Sequence, residues 1–259
     1  MLRTYAWLLL CLPFFAQSEE QQTEYRVNFK NMGNTIWQDY EAFYTQERLI
    51  RVASVFGVGA VMAHSNIDTE FQDWHQSNIR SSGTDDFSKV VKHLGEKTLM
   101  MPIAILASSL EFSKPDSFWA EWGQLSTRAY LLGGPIIGFT QPLTGGSRPK
   151  DEYKDAHWRP FNDDNGVSGH SFVGAVPFLA LTKMSQLNDW QRTLAYVASG
   201  LGSWSRINDD AHYLSQAMLG WYIAWESLNA ISQSPKASWY QVKPVVFGDG
   251  VGIGVSIDW

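Results

Sequence analysis

The chain contains a single cysteine, Cys11, which lies in an apolar run beginning at Tyr5. Neither a disulfide nor a thiol nucleophile can therefore enter the chemistry of the residues that follow. Beyond that run, no apolar stretch reaches eighteen residues without a charge or a strongly polar side chain. Membrane spans of about 20 apolar residues each are thus not expected. Positive charge is also scarce. Lys+Arg number 20 against Asp+Glu 26, a formal net charge of −6, which argues against nucleic acid or an anionic lipid surface as a general partner. Cations that do cluster in this background read as specific.

What is present begins with an export address. Arg3, the apolar run from Tyr5 to Phe15 and the small residues of Ala16-Gln17-Ser18 form a signal-peptide pattern over residues 1–18, with cleavage expected before Glu19. Residues 19–45 read as an N-terminal arm, 46–235 as a helical domain and 236–259 as a β-hairpin. The last assignment rests on Val251, Ile253, Val255 and Ile257, which alternate with glycine or polar residues. Apolar residues make up 44%, with Trp 12 and Phe 14, enough for one substantial core.

Within the domain, Glu47 to Ala63 is apolar on most faces, which predicts a buried helix. Residues 66–84 read as polar and turn-rich. Further helices are expected from Lys97 to Leu110 and from Asp116 to about Leu132, the second ended or kinked by Gly133-Gly134-Pro135. Two more are expected from Gly169 to Met184 and over the apolar segment Ala211 to Ala230.

Three polar clusters punctuate this helical sequence. They are Thr144-Gly-Gly-Ser-Arg-Pro149, Val167-Ser-Gly-His170 and Ser205-Arg-Ile-Asn-Asp-Asp-Ala-His212. Together they supply what a phosphate ester needs: arginines to bind it, a nucleophile to attack it and an acid to release the alcohol. Ser168 is placed as an N-cap, so the first-turn amides from Gly169 onward form an anion site. Arg148 and Arg206 can each present a guanidinium fork to a phosphoryl group. A second Arg-Pro pair, Arg159-Pro160, competes with Arg148-Pro149, and the Thr-Gly preceding Arg148 favours the first.

In order and spacing these clusters resemble the type 2 phosphatidic acid phosphatase superfamily, which includes bacterial acid phosphatases and vanadium haloperoxidases. Its signature reads K-x6-R-P, S-G-H and S-R-x5-H-x3-D. Arg148-Pro149, Ser168-Gly169-His170 and Ser205-Arg206 with His212 match it. Gln141 stands where the family has lysine, and Gln216 where it has aspartate.

The resemblance implies an all-α bundle and a metal-independent, cofactor-free phosphatase acting on phosphate monoesters or lipid phosphates. His212 is then the nucleophile that becomes phosphohistidine, and His170 the general acid. Gln141, Arg148, Ser168, Gly169 and Arg206 bind the phosphoryl group. The partner of the second ring nitrogen of His212 is either Gln216, four residues on, or Asp209, three residues back on a helix expected to start there. The two glutamines leave a second reading open, in which the protein keeps the oxyanion pocket as a non-catalytic phosphate- or phospholipid-binding member. Trp158, Phe161, Trp204 and Tyr213 near the clusters suit a lipid tail and peripheral membrane contact as well as ordinary packing.

Overall fold

The computed structural model describes residues 32–114, 116–151, 155–231, 240–247 and 250–257. The expected signal peptide lies outside them. Ten α-helices are described: α1 (Met32–Phe43), α2 (Gln46–Ala63), α3 (Ile67–Asn78), α4 (Ser82–Val91), α5 (Lys97–Ser108), α6 (Phe118–Thr144), α7 (Gly169–Lys183), α8 (Asp189–Ala198), α9 (Leu201–Asn208) and α10 (Leu214–Ile231). Strands β1 (Tyr240–Phe247) and β2 (Gly250–Ile257) pair antiparallel, with Val242 opposite Val255.

The core is built where α6, α7 and α10 meet. Phe172, Val176 and Leu179 of α7 pack with Leu125, Ala129 and Leu132 of α6 and with Leu219, Ile223 and Leu228 of α10. α7 has apolar residues on every face because it is enclosed on every side. Part of the expected arm belongs to this core: Phe43 of α1 is buried in it, and Asp39 accepts two hydrogen bonds, of 2.8 and 2.6 Å, from the buried Arg128 of α6.

Two of the prolines inside these helices, Pro135 and Pro177, are tolerated because tyrosines take over the carbonyls they strand. A proline at position i leaves the carbonyl of i−4 without its helical donor. Pro135 strands the carbonyl of Leu131, which accepts from the Tyr40 hydroxyl at 2.9 Å; Pro177 strands that of Val173, which accepts from the Tyr130 hydroxyl at 3.0 Å. α6 therefore does not stop at Gly133-Gly134-Pro135 but continues to Thr144. Gly133 serves close packing instead: a Cβ there would lie 2.5 Å from the Phe172 ring and 2.6 Å from Ser227 Oγ.

Two further expectations need correction. α2 is not buried: Leu49, Ile50, Val58 and Val61 are exposed, while Arg48 is almost fully covered. Its inward face is set by Glu226 of α10, which pairs with Arg48 at 2.6 Å and with Arg51 at 2.9 Å. Residues 66–84 are not a turn-rich linker; they contain α3 and the start of α4. Ser81 and Thr84 close a capping box at the head of α4.

Candidate active site

The three polar clusters converge on one residue, Gln216. Its side-chain oxygen accepts from the Tyr213 backbone N–H at 3.1 Å and lies 3.0 Å from His212 Nδ1. Its amide nitrogen donates to the Ser147 carbonyl at 2.8 Å, and its own backbone carbonyl accepts from Ser168 N–H at 2.9 Å. Gln216 is fully buried, and it ties together the segments that carry Arg148, Ser168 and His212.

These contacts fix the chemistry of His212. The Tyr213 amide identifies the atom facing the ring as the glutamine oxygen, and that oxygen can only accept. Nδ1 of His212 therefore carries the proton, and Nε2 keeps its lone pair. Burial pushes the ring pKa down to about 3, opposed by the Gln216 hydrogen bond and reinforced by Arg206, Arg148 and His170. A neutral imidazole with a free Nε2 is a competent nucleophile.

Asp209 does not serve His212. α9 ends at Asn208 and α10 begins only at Leu214, so Asp209 caps a helix C-terminus instead of sharing a helix face with His212. One of its oxygens accepts from Ser88 at 2.7 Å and the other lies 3.6 Å from Arg206 Nη1. Asp209 thus orients an arginine. The loop that follows folds back on Arg206, whose carbonyl accepts from the Ala211 and His212 amides.

Arg206 is the least satisfied cation of the site: its Nε is buried without a hydrogen-bond partner among the described residues. Burial and the charge of Arg148 lower its pKa, while Asp209 opposes them. Arg148 is held from its Nε edge by Asn165 at 2.7 Å, and its backbone N–H donates to Asp151. The competing Arg159 pairs with Asp155 at 2.6 Å. Asn165, in the polar insert between clusters one and two, is a site residue that no spacing rule would have singled out.

Ser168 caps α7 and accepts from Ser171 N–H at 3.2 Å. Helix geometry leaves the amides of Gly169 and His170 without intrahelical acceptors, an arrangement suited to an anion. The turn sits close against α10 because position 220 is glycine: a Cβ there would lie 2.1 Å from the Ser168 carbonyl oxygen. Gln141 donates to the Val167 carbonyl at 2.9 Å. Its amide thus steadies the loop into Ser168, a different use from the phosphate contact expected of it. His170 is pushed down to about 4 by burial and by Arg206, with Glu96 opposing and Arg148 and Lys92 reinforcing.

Comparison with known proteins gives the family and the fold. A sequence model of the PAP2 superfamily matches residues 103–240. Among solved structures, the chain is similar to a transmembrane PAP2-type phosphatidylglycerolphosphate phosphatase from Bacillus subtilis. The TM-score is 0.52 and the identity 17%, over 70% of this chain and 92% of that one. No curated protein matches the chain. Among the described residues of this chain, no single helix is long and apolar enough to cross a membrane; the bent pair α2 and α3 passes that test only jointly.

Proposed function

The chain belongs to the PAP2 superfamily, and from that premise we propose that it is an exported, metal-independent phosphatase that hydrolyses phosphate monoesters or lipid phosphates through phospho-His212. The observation that carries this reading is the Gln216 arrangement. A glutamine that merely marked a decayed site would have no reason to present its oxygen to His212 while its amide holds the Ser147 loop. The tautomer needed for attack is kept although the family's aspartate is gone.

In the proposed reaction the phosphoryl group lies between Arg148, Arg206 and the first-turn amides of α7. Nε2 of His212 forms a bond to phosphorus as the P–O bond to the alcohol breaks, and the alkoxide takes its proton from His170. Water then attacks phosphorus and gives its proton to His170, and the P–N bond breaks to return the free ring. Gln216 accepts from Nδ1–H throughout, stabilising the ring as it becomes positive, with a dipole where an aspartate supplies a full charge.

The lipid-phosphate arm and peripheral membrane contact draw support from apolar residues at the catalytic end. Phe139 and Leu143 lie four apart on the last turns of α6 and are exposed, and Phe161, 78% exposed, is bonded through its amide to the Pro142 carbonyl. Phe161 holds a positive φ of 63°, strain that a phenylalanine rarely bears.

The test is phosphate release by the purified protein, in chelator, from an aryl phosphate and from phosphatidate vesicles across a pH range. Without ligand, His170 must be protonated and His212 neutral to act, with pKa values of about 4 and about 3. Activity in kcat/KM should thus fall as pH rises through the first value and fall again below the second, giving an acid optimum. A bound phosphate dianion favours the protonated His170, so kcat should hold to higher pH than kcat/KM. A kcat/KM that stays level to pH 8 would contradict these roles, and absence of turnover on every ester would leave the binding-protein reading.

A further inference from the structure

The end of α9 and the loop after it, which carry Arg206 and His212, are gripped from outside the family-matched region. α3 lies before residue 103 and presents three polar side chains one turn apart, at 68, 72 and 76, along a single stripe. Asp68 accepts from the Ser215 backbone N–H at 2.9 Å and from Ser215 Oγ at 2.5 Å. Gln72 donates to the Ile207 carbonyl at 3.1 Å and to Asp210 at 2.7 Å, and Gln76 donates to the same Ile207 carbonyl at 2.9 Å. From α4, Ser88 donates to Asp209, and Asp85 accepts from Asn208. Each end of the segment between α9 and α10 is therefore held by α3.

Asp68 is the strongest of these contacts. It is fully buried, and a buried carboxylate costs several kcal/mol unless it is well paired. Its two oxygens are spent on Ser215, the second residue of α10, so Asp68 acts as an N-cap delivered by a neighbouring helix. Burial raises the pKa of this carboxyl, and its two hydrogen bonds from Ser215 oppose that rise. Gln216 follows Ser215 directly, and the turn that Asp68 pins is the one that aims the Gln216 oxygen at His212.

We propose that Asp68 is a positioning residue for the His212–Gln216 pair, capping α10 in trans so that the Gln216 oxygen and His212 Nδ1–H stay in register. The effect on turnover rests on the phosphatase reading above; the effect on ring geometry does not. A shift of an ångström at a reacting group can cost on the order of 100-fold in rate, and loss of one cap among several contacts should cost less.

The experiment compares full-length wild type, Asp68→Ala, Asp68→Asn and Ser215→Ala. Asparagine keeps an oxygen for the Ser215 amide and an NH2 that donates to Ser215 Oγ, so it preserves the cap without the charge. Two readouts are taken on folded protein: the His212 ring tautomer by nitrogen-15 NMR, and kcat, KM and the inhibition constant of inorganic phosphate. Wild type and Asp68→Asn should show Nδ1–H on His212, and Asp68→Ala a mixture of tautomers. Turnover in Asp68→Ala should drop about 10-fold in kcat, with the phosphate inhibition constant within about 2-fold of wild type. Ser215→Ala, which keeps the backbone contact, should fall between them. A folded Asp68→Ala with the wild-type tautomer and kcat overturns the proposal, as does an equal loss in Asp68→Asn. Should wild type turn over no ester, the phosphatase reading fails while the tautomer comparison still decides the role of Asp68.

Discussion

Replacing Gln216 with leucine is expected to lower phosphate-ester turnover by about 10³-fold or more. The scale comes from serine proteases, where replacing the aspartate behind the catalytic histidine by its amide costs about 10⁴-fold, largely by selecting the wrong tautomer. Here the residue behind the ring is already an amide, yet it presents its oxygen, so the wild type keeps the right tautomer and lacks only the charge. Leucine fills similar volume but removes the acceptor of His212 Nδ1–H and leaves the Ser147 carbonyl without its donor. The loss should fall on kcat. Gln216→Asp should act oppositely: its charge supports the positive ring in the transition state and should raise kcat roughly 10-fold, or about 1.4 kcal/mol. Its shorter side chain gives up the Ser147 carbonyl, so KM should rise as the Arg148 segment loosens. Steady-state kinetics of both variants checks the pair, and a Gln216→Leu enzyme within a few-fold of wild type would contradict the assigned role.

Removing the guanidinium of Arg206 has the next largest expected effect. Arg206→Met keeps the stem and discards a partly buried cation whose Nε has no partner among the described residues. Loss of a donor aimed at developing negative charge typically costs about 10²–10³-fold, and kcat/KM should fall by that order. Vanadate, which resembles the five-coordinate transition state, should lose affinity in parallel. A second signature separates this from misfolding. Arg206 lowers the pKa of both His212 and His170, so the residual kcat/KM optimum should move to higher pH. Unchanged vanadate affinity in a folded variant would exclude Arg206 from the pocket.

The residues assigned to the chemistry are more legible in the sequence than those that hold them. Ser168, His170, Arg206 and His212 stood at motif spacing, and Arg148 could be preferred over Arg159 from its neighbours alone. The choice between Gln216 and Asp209 as partner of His212 depends on where α9 ends: Asp209 caps its C-terminus and turns to Ser88 and Arg206, while Gln216, in the first turn of α10, reaches His212. The stripe of Asp68, Gln72 and Gln76 was invisible for a physical reason. Helix recognition looks for an apolar face, and this helix buries a polar one against backbone carbonyls and a neighbouring helix start. α6 was cut short in anticipation because Gly133-Gly134-Pro135 is a local breaker, while the Tyr40 hydroxyl that repairs it comes from a helix about ninety residues earlier. The expectation of a buried α2 fails too, since its exposed apolar face and buried Arg48 invert the usual rule.

The central claim is that His212 attacks phosphorus with Nε2 while Gln216 holds Nδ1–H. The most direct test is rapid mixing with a phosphorus-32 aryl phosphate, followed by alkaline denaturation, which preserves phosphohistidine, and mapping of the labelled peptide. Label on the peptide containing His212 is expected in wild type, with more accumulating in Gln216→Asp if attack is accelerated beyond hydrolysis, and none in His212→Ala. Turnover of the ester with no label on that peptide at any mixing time, or label that persists in His212→Ala, would contradict the account.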